Sequence, residues 1–207
     1  MIDGGNYDWT NGKFPELTEP DPSYHGVRYV ESFKNAAFIA KARAQFLRDF
    51  GACLSPFHGF MFSLGLETLH LRMPRHSENA LALAKFLKRH PRVNWIVYPG
   101  LPGNPSYPRI RKYFLQNAGS GILTFGLKGD RRAARTFVKN LKVAALVVHI
   151  GDARTGVLHP ATSTHSQMTS QQQLDAGISP DMIRVSVGIE DVEDLIADFD
   201  QALRSIR

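Results

Sequence analysis

Arg184 is the residue whose type and setting point most directly to chemistry. It stands in "DMIRVSVGIED" (181–191), which reads as a buried strand turning into a helix. Side chains alternate between the two faces of a strand, so Ile183, Val185 and Val187 share one face and Arg184 and Ser186 the other. If the apolar face packs on helices, the guanidinium projects into whatever lies opposite. There it can grip a carboxylate through two parallel hydrogen bonds. Periodicity alone favours a plainer reading, an edge arginine in a surface ion pair worth about 0–1 kcal/mol.

The other chemically capable residues carry weaker patterns. "HIGDARTGVLHPATSTH" (149–165) holds His149, His159 and His165. His159 and His165 sit six apart in a loop-like stretch, but no Cys or acidic residue completes a zinc set, so no metal site is expected. Asp152, close to a turn, reads as a local cap of backbone amides. Asp49 and Glu67 fall on helices as surface or interface charges. Cys53, in "GACLSPF", has no activating arrangement around it and reads as a buried, inert thiol. It is the single cysteine, which excludes an intramolecular disulfide and fits a reducing compartment.

Net charge is +6, with the densest basic runs in "LKGDRRAARTFVKNLK" (127–142) and "RIRK" (109–112). Both have helical spacing, and a solvated helix face explains them. No RNA-binding aromatic signature or zinc-finger spacing accompanies them, so no nucleic-acid partner is expected.

The elements that must position Arg184 follow from the rest of the chain. Its 207 residues suggest one large domain or one and a half, enough for a sizeable core. The 43% hydrophobic and 21% charged residues are those of a globular protein. No apolar run reaches the roughly 18 residues a membrane span needs. "MIDGGNYDWTNGK" lacks the basic and apolar regions of a secretory signal. The expectation is a cytoplasmic protein without a membrane partner.

"FPELTEPDPSYHG" (14–26) reads as an extended, proline-stiffened loop, and "SFKNAAFIAKARAQFLRDFG" (32–51) as a helix capped by Gly51. Residues 55–91 read as one very long helix or two stacked ones, started by Ser55 and Pro56 and kinked or broken by Pro74. From Val93 onward strands are expected at 93–100, 121–129, 142–151 and 183–189. They alternate with helices at 130–141 and from Glu190 to Ile206, which argues for an α/β or α+β domain. In the last helix Val192, Leu195, Ile196, Phe199, Leu203 and Ile206 form the apolar stripe. Glu190 and Asp191 at its start and Arg204 and Arg207 at its end suit the helix dipole. Met1 and Ile2 read as the end of a strand whose beginning is missing.

Several stretches carry a family resemblance: "GKFPELTEPDPSYHG", "KARAQFLRDFGACLSPF", "GLETLHLRMPRHSENA", "YPGLPGNPSY", "GILTFGLKG", "IGDARTGVLHPATSTHSQ", "LDAGISPDMIRVSVGIED" and "DLIADFDQAL". In this order, over essentially the whole chain, they resemble the O-acetylhomoserine sulfhydrylases of the Cys/Met-metabolism family of pyridoxal-phosphate enzymes. The resemblance implies the C-terminal part of a fold-type-I, aminotransferase-like enzyme. Residues 1–54 would be the tail of the large cofactor domain, 55–91 a linking helix, and 92–207 a small α/β domain with a mostly antiparallel sheet. It implies that Arg184 holds the substrate α-carboxylate and that the loop of His149, where relatives have Asn, lines the site. Gly156 stands where relatives carry a larger apolar residue. Pro74 replaces a helix former, and His58 departs from the amide expected after "SPF".

The implied reaction is a γ-replacement in which acetate leaves O-acetylhomoserine and sulfide or a thiol adds, giving homocysteine or an analogue. The cofactor is pyridoxal 5'-phosphate, held on a Schiff-base lysine. In relatives that lysine lies upstream of the stretch matching "IDGGNYDW". None of Lys13, Lys34, Lys41, Lys85, Lys88, Lys112, Lys128, Lys139 and Lys142 has its setting. The chain is therefore expected to be a C-terminal half, inactive alone, with no catalytic residue of its own and no cofactor-binding residue assignable. It would belong to a homo-oligomer or complement an N-terminal half. A non-enzymatic remnant or a split-gene subunit is the alternative.

Overall fold

The computed structural model describes residues 4–206, so the strand end expected at Met1 and Ile2 and the terminal Arg207 lie outside the described residues. The chain forms two compact units, residues 1–64 and 65–207.

In the first unit Leu17, Tyr29 and Ala37 are buried, with Trp9, Phe14 and Tyr24 packed around them. The stretch 14–26 is not extended throughout. Pro15 and Pro22 each open a single helical turn, Pro15–Thr18 and Pro22–Tyr24, because a fixed φ and a missing N–H cost nothing at a first helical position. Lys41 donates to Asp21 at 2.8 Å, and both side chains are buried. The Lys41 ammonium, helped by Ser23, holds the Asp21 carboxyl well below the usual carboxylate range. The helix expected to end at Gly51 does end there, at φ 63°, with the Gly51 amide donating to the Leu47 carbonyl at 2.8 Å. It does not run unbroken from residue 32: Lys34, at φ 51°, ends a first short helix, Tyr29–Phe33, a 3-10 turn spans Lys34–Ala36, and the helix that restarts at Ala37 contains a π-helical stretch, Ala42–Leu47.

Helix α1 (Pro56–Glu67) begins as its sequence predicts, with the His58 amide donating to Ser55 Oγ at 3.3 Å. Helix α2 (Leu69–Arg89) follows after a break at Thr68, and it continues through Pro74. The expected break is thus displaced by six residues. Pro74 removes the hydrogen bond to the His70 carbonyl, but this end of α2 is exposed and water can serve that oxygen. Arg72 bridges the break, donating to Thr68 Oγ1 at 3.1 Å and to the Gly65 carbonyl at 2.7 Å.

The second unit is built on a five-stranded sheet in the order β1-β2-β5-β4-β3. The strands are β1 (Val93–Val97), β2 (Ile122–Leu127), β3 (Ala145–Leu146), β4 (Gly156–Leu158) and β5 (Met182–Ser186). All neighbours are antiparallel except β3 and β4. Helix α3 (Tyr107–Tyr113) follows β1, α4 (Arg131–Asn140) follows β2, α5 (Ser170–Asp175) precedes β5, and α6 (Val192–Arg204) closes the fold. The inward residues of β2 and β5, among them Leu123, Phe125, Ile183 and Val185, form one core with Leu83 and Leu87 of α2, Phe137 of α4 and Leu195 and Phe199 of α6. Phe125, Phe137 and Phe199 meet as a ring cluster, with centroids 5.5–6.4 Å apart, a spacing that favours edge contacts.

Two strand expectations need correction. The apolar run 142–151 contributes only two strand residues, because it lies at the sheet edge with Leu146, Val148 and Ile150 exposed. Its start is fixed from an unforeseen direction. The carboxylate of Asp198, 4% exposed within the α6 stripe, accepts the amides of Lys142, Val143 and Ala144 at 2.8–3.0 Å. The strand "GVL" then lies inside the stretch read as loop. Cys53 is also corrected: it is exposed, since residues 51–55 lie on the surface between two helices.

Helix α1 has no buried residue, and Phe57, Phe60, Phe62 and Leu66 are each more than half exposed. A helix apolar on every side is stable in water only when something covers it. The isolated chain is expected to self-associate, giving a light-scattering mass above 23.1 kDa and bright binding of an apolar dye. A dye-negative monomer at high concentration would contradict this reading.

Candidate functional site

Strand β5 divides its residues as the alternation predicts. Ile183, Val185 and Val187 are fully buried against the helices. Arg184 and Ser186 point to the opposite face, where Arg184 pairs across the strands with Thr124 of β2 and Leu158 of β4. Arg184 is half-buried rather than an edge residue, because β5 is the middle strand. Its Nη2 donates to the Val148 carbonyl at 2.8 Å. A guanidinium has five N–H donors, so this bond orients the group and leaves its fork open. Among the described ion pairs none involves Arg184, which leaves the surface ion pair without support.

The loop carrying His149 is fastened to the same strand. Ser186 Oγ, two residues along the strand from Arg184, accepts the Gly151 amide at 3.0 Å. The Ile189 amide donates to the Ala153 carbonyl at 2.9 Å. The Glu190 carboxylate accepts both the amide and, at 2.9 Å, the hydroxyl of Thr155, and Thr155 Oγ1 accepts the Gly188 amide at 2.9 Å. The loop 148–155 is therefore sewn to β5 and to the turn after it. Of the two residues expected to bind substrate, Arg184 holds the carbonyl immediately before His149, and the His149 ring is turned to Asp152. The His149 ring is 58% exposed, with Nδ1 3.3 Å from Asp152 Oδ2. Asp152 accepts the Arg154 amide at 3.0 Å, the local cap its position predicts.

Gly156, where the resemblance implies a larger side chain, has a structural explanation. A Cβ there would come within 2.9 Å of the Val147 side chain, so Val147 fills the space in this chain.

Four supporting residues escaped sequence reasoning. From α2, Asn79 Nδ2 donates to the carbonyls of Gly188 at 3.1 Å and Glu190 at 2.8 Å. His76 Nδ1 lies 2.6 Å from the Val187 carbonyl, so Nδ1 carries the proton. Thr155 and Glu190 clamp the turn from the other side. The available signal was polar type in an apolar stripe: His76 and Asn79 share a helix face with Ala80 and Leu83 and are 1% exposed. His159 and His165 do not converge. His159 is buried with both ring nitrogens engaged, by Thr162 Oγ1 and by the Pro180 carbonyl, each at 2.8 Å. Burial is the main cause holding its pKa below the ordinary value, with Arg131 and Arg135 adding to it.

The group assembled at Arg184 suits an anion. A covalent anchor for an aldehyde cofactor is a lysine. The residues gathered here, Arg184, His149 and Asp152, include none.

Residues 29–204 match the family described as Cys/Met metabolism PLP-dependent enzyme. The chain is 50% identical over 203 residues to O-acetyl-L-homoserine sulfhydrylase 1 of Thermus thermophilus, covering 98% of this chain and 48% of that protein. It is 47% identical over 205 residues to homocysteine synthase of Schizosaccharomyces pombe, again covering 98% of this chain and 48% of that protein. Among solved structures, a Campylobacter jejuni protein assigned as an O-acetylhomoserine (thiol)-lyase superposes with a TM-score of 0.82 at 37% identity, covering 92% of this chain and 45% of that one. That structure carries N'-pyridoxyl-lysine-5'-monophosphate. The chain thus spans about half the length of the relatives it matches.

The loop's electrostatics give a pH prediction. The Arg154 amide and then its guanidinium hold the Asp152 carboxyl down to about 2 from an ordinary 3.8, with burial opposing them and His149 assisting. A carboxyl depressed on folding stabilises above its unfolded pKa, and the contribution is lost as pH falls through its folded one. Nuclear magnetic resonance titration should place the Asp152 midpoint near 2, with the 149–154 loop loosening below about pH 4. A midpoint at 3.8 or above would mean the Arg154 contacts do not persist in solution.

Proposed function

Because the chain belongs to the Cys/Met metabolism PLP-dependent enzyme family, we propose that it is the substrate-carboxylate half of an O-acetylhomoserine sulfhydrylase. The whole enzyme makes homocysteine from O-acetylhomoserine and sulfide by γ-replacement. The observation that carries this reading is the Arg184 guanidinium, aimed off the open face of the sheet, oriented by the Val148 carbonyl, with no carboxylate partner among the described residues. The remaining half of the enzyme's length, on the same chain or another, supplies the lysine that binds pyridoxal phosphate. We assign residues 1–54 to the tail of that cofactor domain, 55–91 to the link and 92–207 to the small domain. The exposed apolar helix α1 supports a homo-oligomeric enzyme, and the exposed Cys53 thiol supports a reducing, cytoplasmic setting.

When bound, pyridoxal phosphate supplies an electron sink for carbanion chemistry. This chain's own work is binding and orientation. Arg184 takes both oxygens of the substrate α-carboxylate with the donors left free by Val148. His149, on the adjoining loop with its ring 3.3 Å from Asp152, is the second residue we assign to the substrate. Fixing the carboxylate fixes the amino-acid Cα and the acetyl-bearing Cγ, which lowers the entropy still to be lost on reaching the transition state.

Two measurements test this. Incubated alone with pyridoxal phosphate and borohydride, then digested, the chain should show no pyridoxyl group trapped in stoichiometric amount at any one lysine. A single stoichiometric site would refute the division of labour. In enzyme reconstituted with the segment bearing the cofactor lysine, Arg184→Ala should leave cofactor loading intact and remove a charge-assisted contact worth about 2–4 kcal/mol. That lowers kcat/KM for O-acetylhomoserine roughly 30- to 1,000-fold. Arg184→Lys should recover only part, since an ammonium lacks the planar fork. Near-normal kcat/KM in Arg184→Ala would return Arg184 to the surface.

A further inference from the structure

The basic run 127–142 plays no part in the site above, and the fold gives it a setting of its own. Helix α4 buries Ala133, Ala134 and Phe137, which turns Arg131, Arg135 and Lys139 outward along one stripe. These residues and Arg132 line a cleft of about 1220 Å³. Its other wall is the edge segment around Ala144–Leu146 together with the turn of His159, Thr162 and Ser163.

Positive charge predominates in the cleft, with Arg131, Arg132, Arg135 and Lys139 set against the carboxylate of Asp130. None of the four cations takes part in a described ion pair. Arg131 is held in place by neutral acceptors, Gln173 Oε1 at 2.8 Å and Ser170 Oγ at 3.3 Å, so its direction is fixed while its charge stays uncompensated. Asp130 is the acidic residue of the lining, and its Oδ1 is occupied in capping the Arg132 and Ala133 amides at 2.9 and 3.2 Å. The opposite wall is rigid, because Asp198 fastens residues 142–144 and His159 is buried with both nitrogens bonded.

Spacing and lining choose the ligand class. Residues four apart on a helix rise about 6 Å, so Arg131, Arg135 and Lys139 spread three charges over about 12 Å. An elongated polyanion matches that row better than a single phosphate. Val138, Leu141, Ala145 and Leu146 add an apolar side on which a ring can lie. We infer that the cleft between α4 and the edge strand binds a small elongated polyanion with an apolar body, the chemistry of a nucleoside di- or triphosphate. The polyanion runs along α4, with the ring against the edge segment. Nothing in this binding depends on the Arg184 site.

The test uses the purified chain with ATP and with inorganic triphosphate as probes, in isothermal titration at low salt. Both should bind more tightly than about 1 mM, ATP more tightly than triphosphate, and affinity should fall as salt rises. Arg135 and Lys139 are exposed, so Arg135→Glu with Lys139→Glu should fold and weaken ATP binding by about tenfold or more. The pair Arg109→Glu with Lys112→Glu changes net charge equally at another exposed basic run and should cost less than roughly threefold. Hydrogen exchange, which needs no variant, should slow on ATP addition in α4 and in residues 141–146. Absence of binding by both probes, equal weakening by the two double variants, or protection confined to other segments would each overturn the assignment.

Discussion

The register of β5 is the constraint on which the rest depends. It is the middle strand, hydrogen-bonded on both sides, and one of its faces is the core. Full burial of Ile183, Val185 and Val187 stabilises the fold by about 1.5–3 kcal/mol each. A slip of one residue would turn all three out and drive Arg184 among Phe125, Phe137 and Phe199. Burying an unpaired guanidinium there costs several kcal/mol. The apolar residues therefore fix where the charge points. The direction of Arg184 follows from packing on the other face, before any ligand is considered.

A strand fixes direction but not the environment its side chains meet. That is the task of the polar contacts at the end of β5. Three backbone carbonyls after the strand, those of Val187, Gly188 and Glu190, are taken by His76 and Asn79. Thr155 and Glu190 then tie the same turn to the loop bearing His149. Buried polar groups left unpaired cost about 1–3 kcal/mol each, so the contacts made by these carbonyls and by Thr155 hold the loop in one place, while His76 Nε2, also buried, meets no hydrogen-bond partner among the described residues. Close approach helps as well. With no Cβ at Gly156, Val147 can lie against β4, and the Val148 carbonyl comes within reach of Arg184.

The periodic parts of this design were legible in the sequence. The alternation in 183–187, the stripe of the closing helix and the Gly51 cap are local patterns that burial reads directly. What stayed hidden was set by contacts distant in sequence. "KVAALVVHIG" has strand composition, but at the sheet edge its apolar side chains find little of this chain to pack on, and hydrophobicity without burial does not make a strand. "GVL" is too short to register as a period of two. Asp198 looks like a helix-surface acid until residues 142–144, more than fifty positions away, bring it their amides. Pro74 illustrates the opposite error, a strong local signal weakened by solvent at the exposed start of α2.

Two basic features of the same sequence illustrate how neighbours decide the meaning of a charge. Taken as composition, Arg184 and the run 131–139 are alike, and a solvated surface explains both. Our proposals for the two rest on one criterion, which is what occupies the hydrogen-bonding capacity of the guanidinium. Arg28 and Arg48 meet Glu31 and Asp49 at 3.1 and 2.9 Å on exposed ground, and their charges are answered within the chain. Arg184 and Arg131 are instead steered by neutral acceptors, Val148 O and Gln173 Oε1, which orient a fork without neutralising it. Orientation by a neutral partner costs side-chain entropy that water alone would not repay. The entropy is already lost when an anion arrives, so the ligand gains the contact without ordering the arginine.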